Sequence, residues 1–104
     1  MLAQEFATRS LLLDDGQLDV HVMLGNLSNM RGHHDAALES YDKALEISPD
    51  DATTIFNRAC TLDKMGDIDG AIEGFKKSTA LDSSLPSTYL RNAVTKKLAQ
   101  TVKK

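Results

Sequence analysis

Apolar residues recur along this chain at the three- and four-residue spacings of helix faces, and no stretch shows the strict alternation of a half-buried strand. The first such stretch carries Leu2, Ala3, Phe6, Ala7, Ser10, Leu11 and Leu13 and ends at Asp14-Asp15-Gly16. Asp19 then stands as an N-cap for a helix running to about Arg31, with Val20, Leu24 and Leu27 on one buried stripe. Gly32 supplies a stop, Asp35 a cap, and the return helix ends near Ile47, burying Ala37, Leu38, Tyr41, Ala44, Leu45 and Ile47 before Ser48-Pro49-Asp50-Asp51. The plan repeats: a helix over 52–65, a stop at Gly66, a helix over 69–81, then Asp82-Ser83-Ser84. Ala59, Leu62, Ala71, Ile72, Phe75, Ser78 and Leu81 form the core of this second pair. A last helix opens at Pro86, an allowed first-turn proline, and runs through Tyr89, Ala93 and Leu98.

The repetition has a fixed period of ~34 residues. GHHDAALESYDKA, from Gly32, lands on GDIDGAIEGFKKS, from Gly66, so that Gly32/Gly66, Asp35/Asp69, Ala37/Ala71, Glu39/Glu73 and Lys43/Lys77 coincide. Tyr41/Phe75 and Ala44/Ser78 keep their character. In the preceding helix Gly25 meets Ala59, which marks a close approach between helices. Gly70 and Gly74 weaken their own helix by roughly 1 kcal/mol each relative to alanine, and the spacing gives no reason for them beyond close packing. Tyr89 and Ala93 match Ile55 and Ala59; one period before the repeats, Ala3 and Ser10 match Ala37 and Ala44. The chain therefore starts in mid-repeat, as a piece of a longer array or with an N-terminal cap.

A glycine followed by a helix with a small residue early, an aromatic four later and a second small residue three beyond resembles the second helix of a tetratricopeptide repeat (TPR). That resemblance implies an all-α fold, a short right-handed solenoid of about six helices. Its parts are a partial repeat or cap over 2–16, repeats over 18–51 and 52–85, and over 86–104 a partial repeat or C-terminal capping helix. It also implies a peptide-binding concave wall formed by the first helix of each pair: Val22, Met23, Asn26 and Met30; Phe56, Asn57, Cys60 and Lys64; Leu90, Arg91 and Val94. IFNRA at Ile55 and YLRNA at Tyr89 resemble the carboxylate-clamp group, co-chaperones that grip the acidic C-terminal tails of heat-shock proteins. Asn26, Asn57 and Arg91 match three of its five clamp residues, but Val22 and Ser87 stand where it has lysines, each worth roughly 1.5 to 3 kcal/mol as a charge-assisted bond. Lys64 and Lys97 are the substitutes at hand. The same wall read for its apolar members is a groove for an amphipathic helix or extended peptide. The end helices offer a third role, stacking against further repeats or another subunit as a scaffold.

Composition narrows the classes. At 104 residues, 41% apolar and 26% charged, this is one soluble domain rather than a disordered chain. Cys60 is the only cysteine, so no internal disulfide forms, a reduced compartment is expected, and a closed zinc site lacks ligands. His33-His34 falls in a turn with no third ligand beside it. The N-terminus lacks a signal peptide's basic start, and no stretch approaches the ~20 apolar residues of a membrane span; a cytoplasmic or nucleocytoplasmic protein is expected. No phosphate loop, nucleophile elbow or paired-cysteine motif is present, so neither catalysis nor a cofactor is expected. Residues 1–51 hold ten acids and three bases, whereas 52–104 hold five acids and nine bases, with five bases and no acid from Pro86 on. This tail is either a solvated helix end or an attachment point for an acidic partner; without interleaved aromatics it does not suit nucleic acid.

Overall fold

The computed structural model describes residues 14–102, with side chains from Gln17 onward. The stretch over 2–13 lies outside the described residues. Those described form five α-helices and no strand: α1 Asp14–Met30, α2 His34–Ile47, α3 Ala52–Met65, α4 Ile68–Leu81 and α5 Thr88–Val102. They divide into two compact units between Pro49 and Asp50.

In the first unit α1 packs on α2 through Gly25. An ideal Cβ there would lie 2.5 Å from Tyr41 Cε1 and 2.7 Å from Cδ1, so the buried tyrosine ring lies directly against α1 backbone. Ala37 and Ala44 complete the seam with no exposed surface. At about 100° per residue, the side of α1 that Gly25 defines holds Leu18, His21, Val22, Ser28 and Asn29, all half-buried. The stripe expected from Val20, Leu24 and Leu27 is turned away from that seam, and Leu24 and Leu27 are 47% and 44% exposed. Nor does Asp19 cap a helix: α1 is continuous from Asp14, and Gly16, near its first turn, does not interrupt it.

The turn into α2 uses Gly32 at φ 81°, with the His33 N–H donating to Ser28 O at 2.8 Å. His33 occupies the N-cap without a side-chain bond, and Asp35, expected there, sits in the first turn instead. One period on, Gly66 has φ 91° and the Asp67 N–H donates to Leu62 O at 2.9 Å. Here the helix expected from Asp69 begins at Ile68 and its cap is Asp67, whose carboxylate accepts from the Gly70 N–H at 3.1 Å. Asp51 caps α3 by accepting from the Thr54 N–H at 3.1 Å and from the Thr54 hydroxyl.

Within the second unit the close approach of α3 and α4 is made by Gly74, where an added Cβ would sit 2.8 Å from Ala59 Cβ. Gly70 leaves room for the Asp67 cap, whose Oδ2 would lie 2.5 Å from a Cβ. Ile68, Ala71, Phe75 and Ser78 are buried on α4, but Leu81, at the helix end beyond its partner, is 45% exposed. The last helix starts at Thr88, two residues after Pro86, with the Arg91 N–H bonded to Ser87 O at 3.1 Å. It is seated by buried Ala93 and by an aromatic trio: the Phe56 ring meets Phe75 edge-on at 5.4 Å and Tyr89 at 5.1 Å. Two ion pairs add to it, Lys96 with Asp63 at 3.0 Å and Lys97 with Asp69 at 2.5 Å.

Candidate protein-interaction face

Helix geometry orders the expected binding residues into one repeated strip. Taking the buried small residue of each first-in-pair helix as origin (Gly25, Ala59 or Ala93), residues three before, one after, five after and two before lie about 60°, 100°, 140° and 160° around the axis. On α1 these are Val22, Asn26, Met30 and Met23; on α3, Phe56, Cys60, Lys64 and Asn57; on α5, Leu90, Val94, Leu98 and Arg91. The residue nearest the seam, Val22, Phe56 or Leu90, is half-buried on every helix. Farther round, Met23 and Met30 are 68% and 83% exposed and Leu98 is 59% exposed. Leu98 is the member that the family comparison left out; the period alone finds it, since it falls one repeat after Lys64.

In the first unit the Tyr41 hydroxyl donates to Asn26 Oδ1 at 2.6 Å. That bond fixes which way the amide faces and joins the strip to the core tyrosine. In the second unit the strips of α3 and α5 flank a seam closed by Phe56 with Tyr89 and by Asp63 with Lys96. Phe56 is therefore as much a packing residue as a surface one, while Tyr89, in the place of buried Ile55, leaves 47% of its surface exposed beside it. Asn57 and Cys60 are half-buried and Lys64, Arg91 and Val94 exposed. Lys97, a substitute for the missing clamp lysines, is engaged by Asp69. Arg91 is exposed and, among the described residues, makes no ion pair, so its guanidinium fork is a candidate for a ligand's carboxylate.

Burial pushes the Cys60 thiol up, Lys64 opposes the shift and Asp63 adds to it. A thiol held protonated at neutral pH is a weak nucleophile and a poor metal ligand. Among the described residues no three His, Cys, Asp or Glu side chains gather where a metal ion could be held. No helix among them is long and apolar enough to cross a membrane.

Two helix pairs built around a positive-φ glycine, a small residue and a core aromatic define a class of helical-repeat protein. Tetratricopeptide repeat models match residues 18–51 and 40–73, together more than half of the chain, and the chain belongs to the tetratricopeptide repeat family. A curated relative, the small glutamine-rich tetratricopeptide repeat-containing protein 2 of Mycosarcoma maydis, is 31% identical over 67 residues, 64% of this chain. The match covers 19% of that protein, so this chain spans only about a fifth of its length. The expected class, a protein–protein interaction module, follows from the family.

Proposed function

We propose that this chain holds a segment of another protein on the strips of its first-in-pair helices, with Asn57 and Arg91 as polar anchors in the second unit. The observation that carries this reading is their equivalence. Each precedes a buried alanine by two residues, Ala59 or Ala93, and so each is turned about 160° from the packed side of its helix. An asparagine amide can donate and accept at once, which suits the backbone of an extended peptide whatever its side chains. Phe56, Cys60, Leu90 and Val94 supply apolar surface beside these anchors, and Lys64 a second cation. Val22, Met23, Asn26 and Met30 offer a contact of the same kind within the first unit. The reading assigns the chain no catalytic step.

A degenerate carboxylate clamp is the narrower form of this reading, supported by one observation: Arg91 is exposed and without an ion pair among the described residues, while its neighbours Lys96 and Lys97 are engaged. The test is fluorescence anisotropy with a short acidic peptide carrying a free C-terminal carboxylate and with its amidated twin. The clamp form requires the free acid to bind more tightly, by about tenfold for one charge-assisted bond. Equal binding of the two leaves the general peptide reading, and binding of neither peptide, nor of an apolar amphipathic one, removes it.

A further inference from the structure

Two exposed apolar faces lie on helices of opposite charge. Helix α1 turns Met23, Leu24, Leu27 and Met30 outward at 68%, 47%, 44% and 83% exposure. It contains Asp14, Asp15 and Asp19 and no lysine or arginine. Helix α5 turns Val94, Leu98 and Val102 outward at 38%, 59% and 81% exposure and has no acid; of its bases Lys96 and Lys97 are paired with Asp63 and Asp69, and Arg91 makes no ion pair among the described residues. Each face is an unbroken row at helical spacing. Asp19 lies within about 40° of Met23 and Met30 around α1, and Arg91 within about 20° of Leu98 and Val102 around α5. An acid thus flanks one row and a base the other.

We infer that the occupant of the α5 face is α1 of a second copy of this chain. The rows match in kind, four residues against three, and the helices match in length at 17 and 15 residues, about 25 and 22 Å. The charges attract across such a contact, whereas α1 on α1 or α5 on α5 sets like against like. The contact is heterologous: each copy brings one acidic face and one basic face, and neither face is complementary to itself. Arg91, Val94 and Leu98 on α5 and Met23 and Met30 on α1 also belong to the strips described for peptide binding, so a bound copy and a bound peptide exclude each other on either helix.

Sedimentation equilibrium over a concentration series on the intact chain tests this. Wild type is expected to gain mass with concentration and to lose it at high salt, where the ionic part is screened. Leu98→Glu blocks the α5 face and Leu27→Glu the α1 face; both positions are exposed, so each variant keeps its dichroism spectrum. Each alone should dissociate at least about tenfold more readily. Their mixture, which retains one intact face of each kind, should form a one-to-one dimer and nothing longer. Val102→Glu should act as Leu98→Glu does. A wild type that stays monomeric overturns the inference. So does a Leu27→Glu variant that associates as wild type does, the outcome if residues 2–13 or a different protein covers α1, or if α5 pairs with α5.

Discussion

His33 and Asp67 stand at the same point of two matching turns. Their backbones are nearly superposable, φ −87° and ψ 73° against φ −83° and ψ 79°, yet only the aspartate bonds the first turn of its helix. Around the uncapped turn Asn29 Oδ1 and His34 Nδ1 are also buried without a hydrogen-bond partner among the described residues. His33→Asp should therefore bring the missing cap to α2 and stabilise the fold by roughly 1 kcal/mol, read as a rise in the urea midpoint at unchanged slope. Sequence reasoning placed the cap of α2 two residues late, at Asp35, and began the next return helix at Asp69, because an acid suits either the cap or the first turn and only backbone geometry separates the two. Cys60 supplies a pH-linked prediction. Its folded thiol titrates higher than an unfolded one, so its contribution is full below the ordinary thiol range and is lost as pH rises through the folded value. Between pH 7 and 10 the midpoint should fall further for wild type than for Cys60→Ser, and alkylation of the folded chain at pH 8 should be slower than in urea.

Glycines settle the element scale. Each helix pair crosses with a single glycine at its closest point, on the first helix in one case and on the second in the other: Gly25 under the Tyr41 ring, Gly74 against Ala59. Alanine at either place gains up to about 1 kcal/mol of helix propensity but pushes a methyl group into side chains that are themselves packed. Overpacking of this kind costs about 1 to 3 kcal/mol, so both Gly25→Ala and Gly74→Ala should be destabilising by denaturant titration. An outcome of increased stability would mean that the helices separate at little cost. The period made the positions of both helix pairs readable in the sequence, along with the two positive-φ stops at Gly32 and Gly66. The packed face of α1 was misread, because Leu24 and Leu27 look like core by composition, although the close approach read at Gly25 already pointed to the other side, where the helices do cross. On α5, Lys96 takes the place of buried Leu62 and pairs with Asp63, so this helix meets the repeat partly through charge. A half-exposed pair of that sort contributes less than about 1 kcal/mol, and a double-mutant cycle of Lys96→Ala with Asp63→Ala should report a coupling no larger.

Taken as a whole the molecule is mildly acidic, at −3, but this total conceals an excess of acids before Ala52 and of bases after it. The distribution bears on function because Arg91 lies in the basic part on a helix without acids, so a bound carboxylate meets no competing anion from α5 itself. The strip around it was legible in the sequence as a set of equivalent positions, since a 34-residue period fixes which residues share a helix face. What the sequence could not convey was how each member is used: Phe56 is shared with the core through Phe75 and Tyr89, Asn26 is fixed by Tyr41, and Lys97 is held by Asp69. These differences lead to a specific ordering of variants. For a peptide ending in acidic residues, Arg91→Ala should weaken binding about tenfold at low salt and much less at high salt, where screening has already removed most of the ionic part. Asn57→Ala should weaken it by a smaller factor that salt leaves unchanged, because a backbone hydrogen bond carries no net charge. Phe56→Ala would confuse the two, as it opens the aromatic seam and should lower stability as well as affinity; Leu90→Ala probes the apolar contribution with less damage. Anisotropy titrations of wild type and the Arg91, Asn57 and Leu90 variants at two salt concentrations, each beside a urea curve, separate these effects. If Leu90→Ala dominates and salt is without influence, the ligand is an apolar segment and Arg91 is a bystander. If none of the three changes affinity while stability is kept, the strips of α3 and α5 are not where a peptide binds.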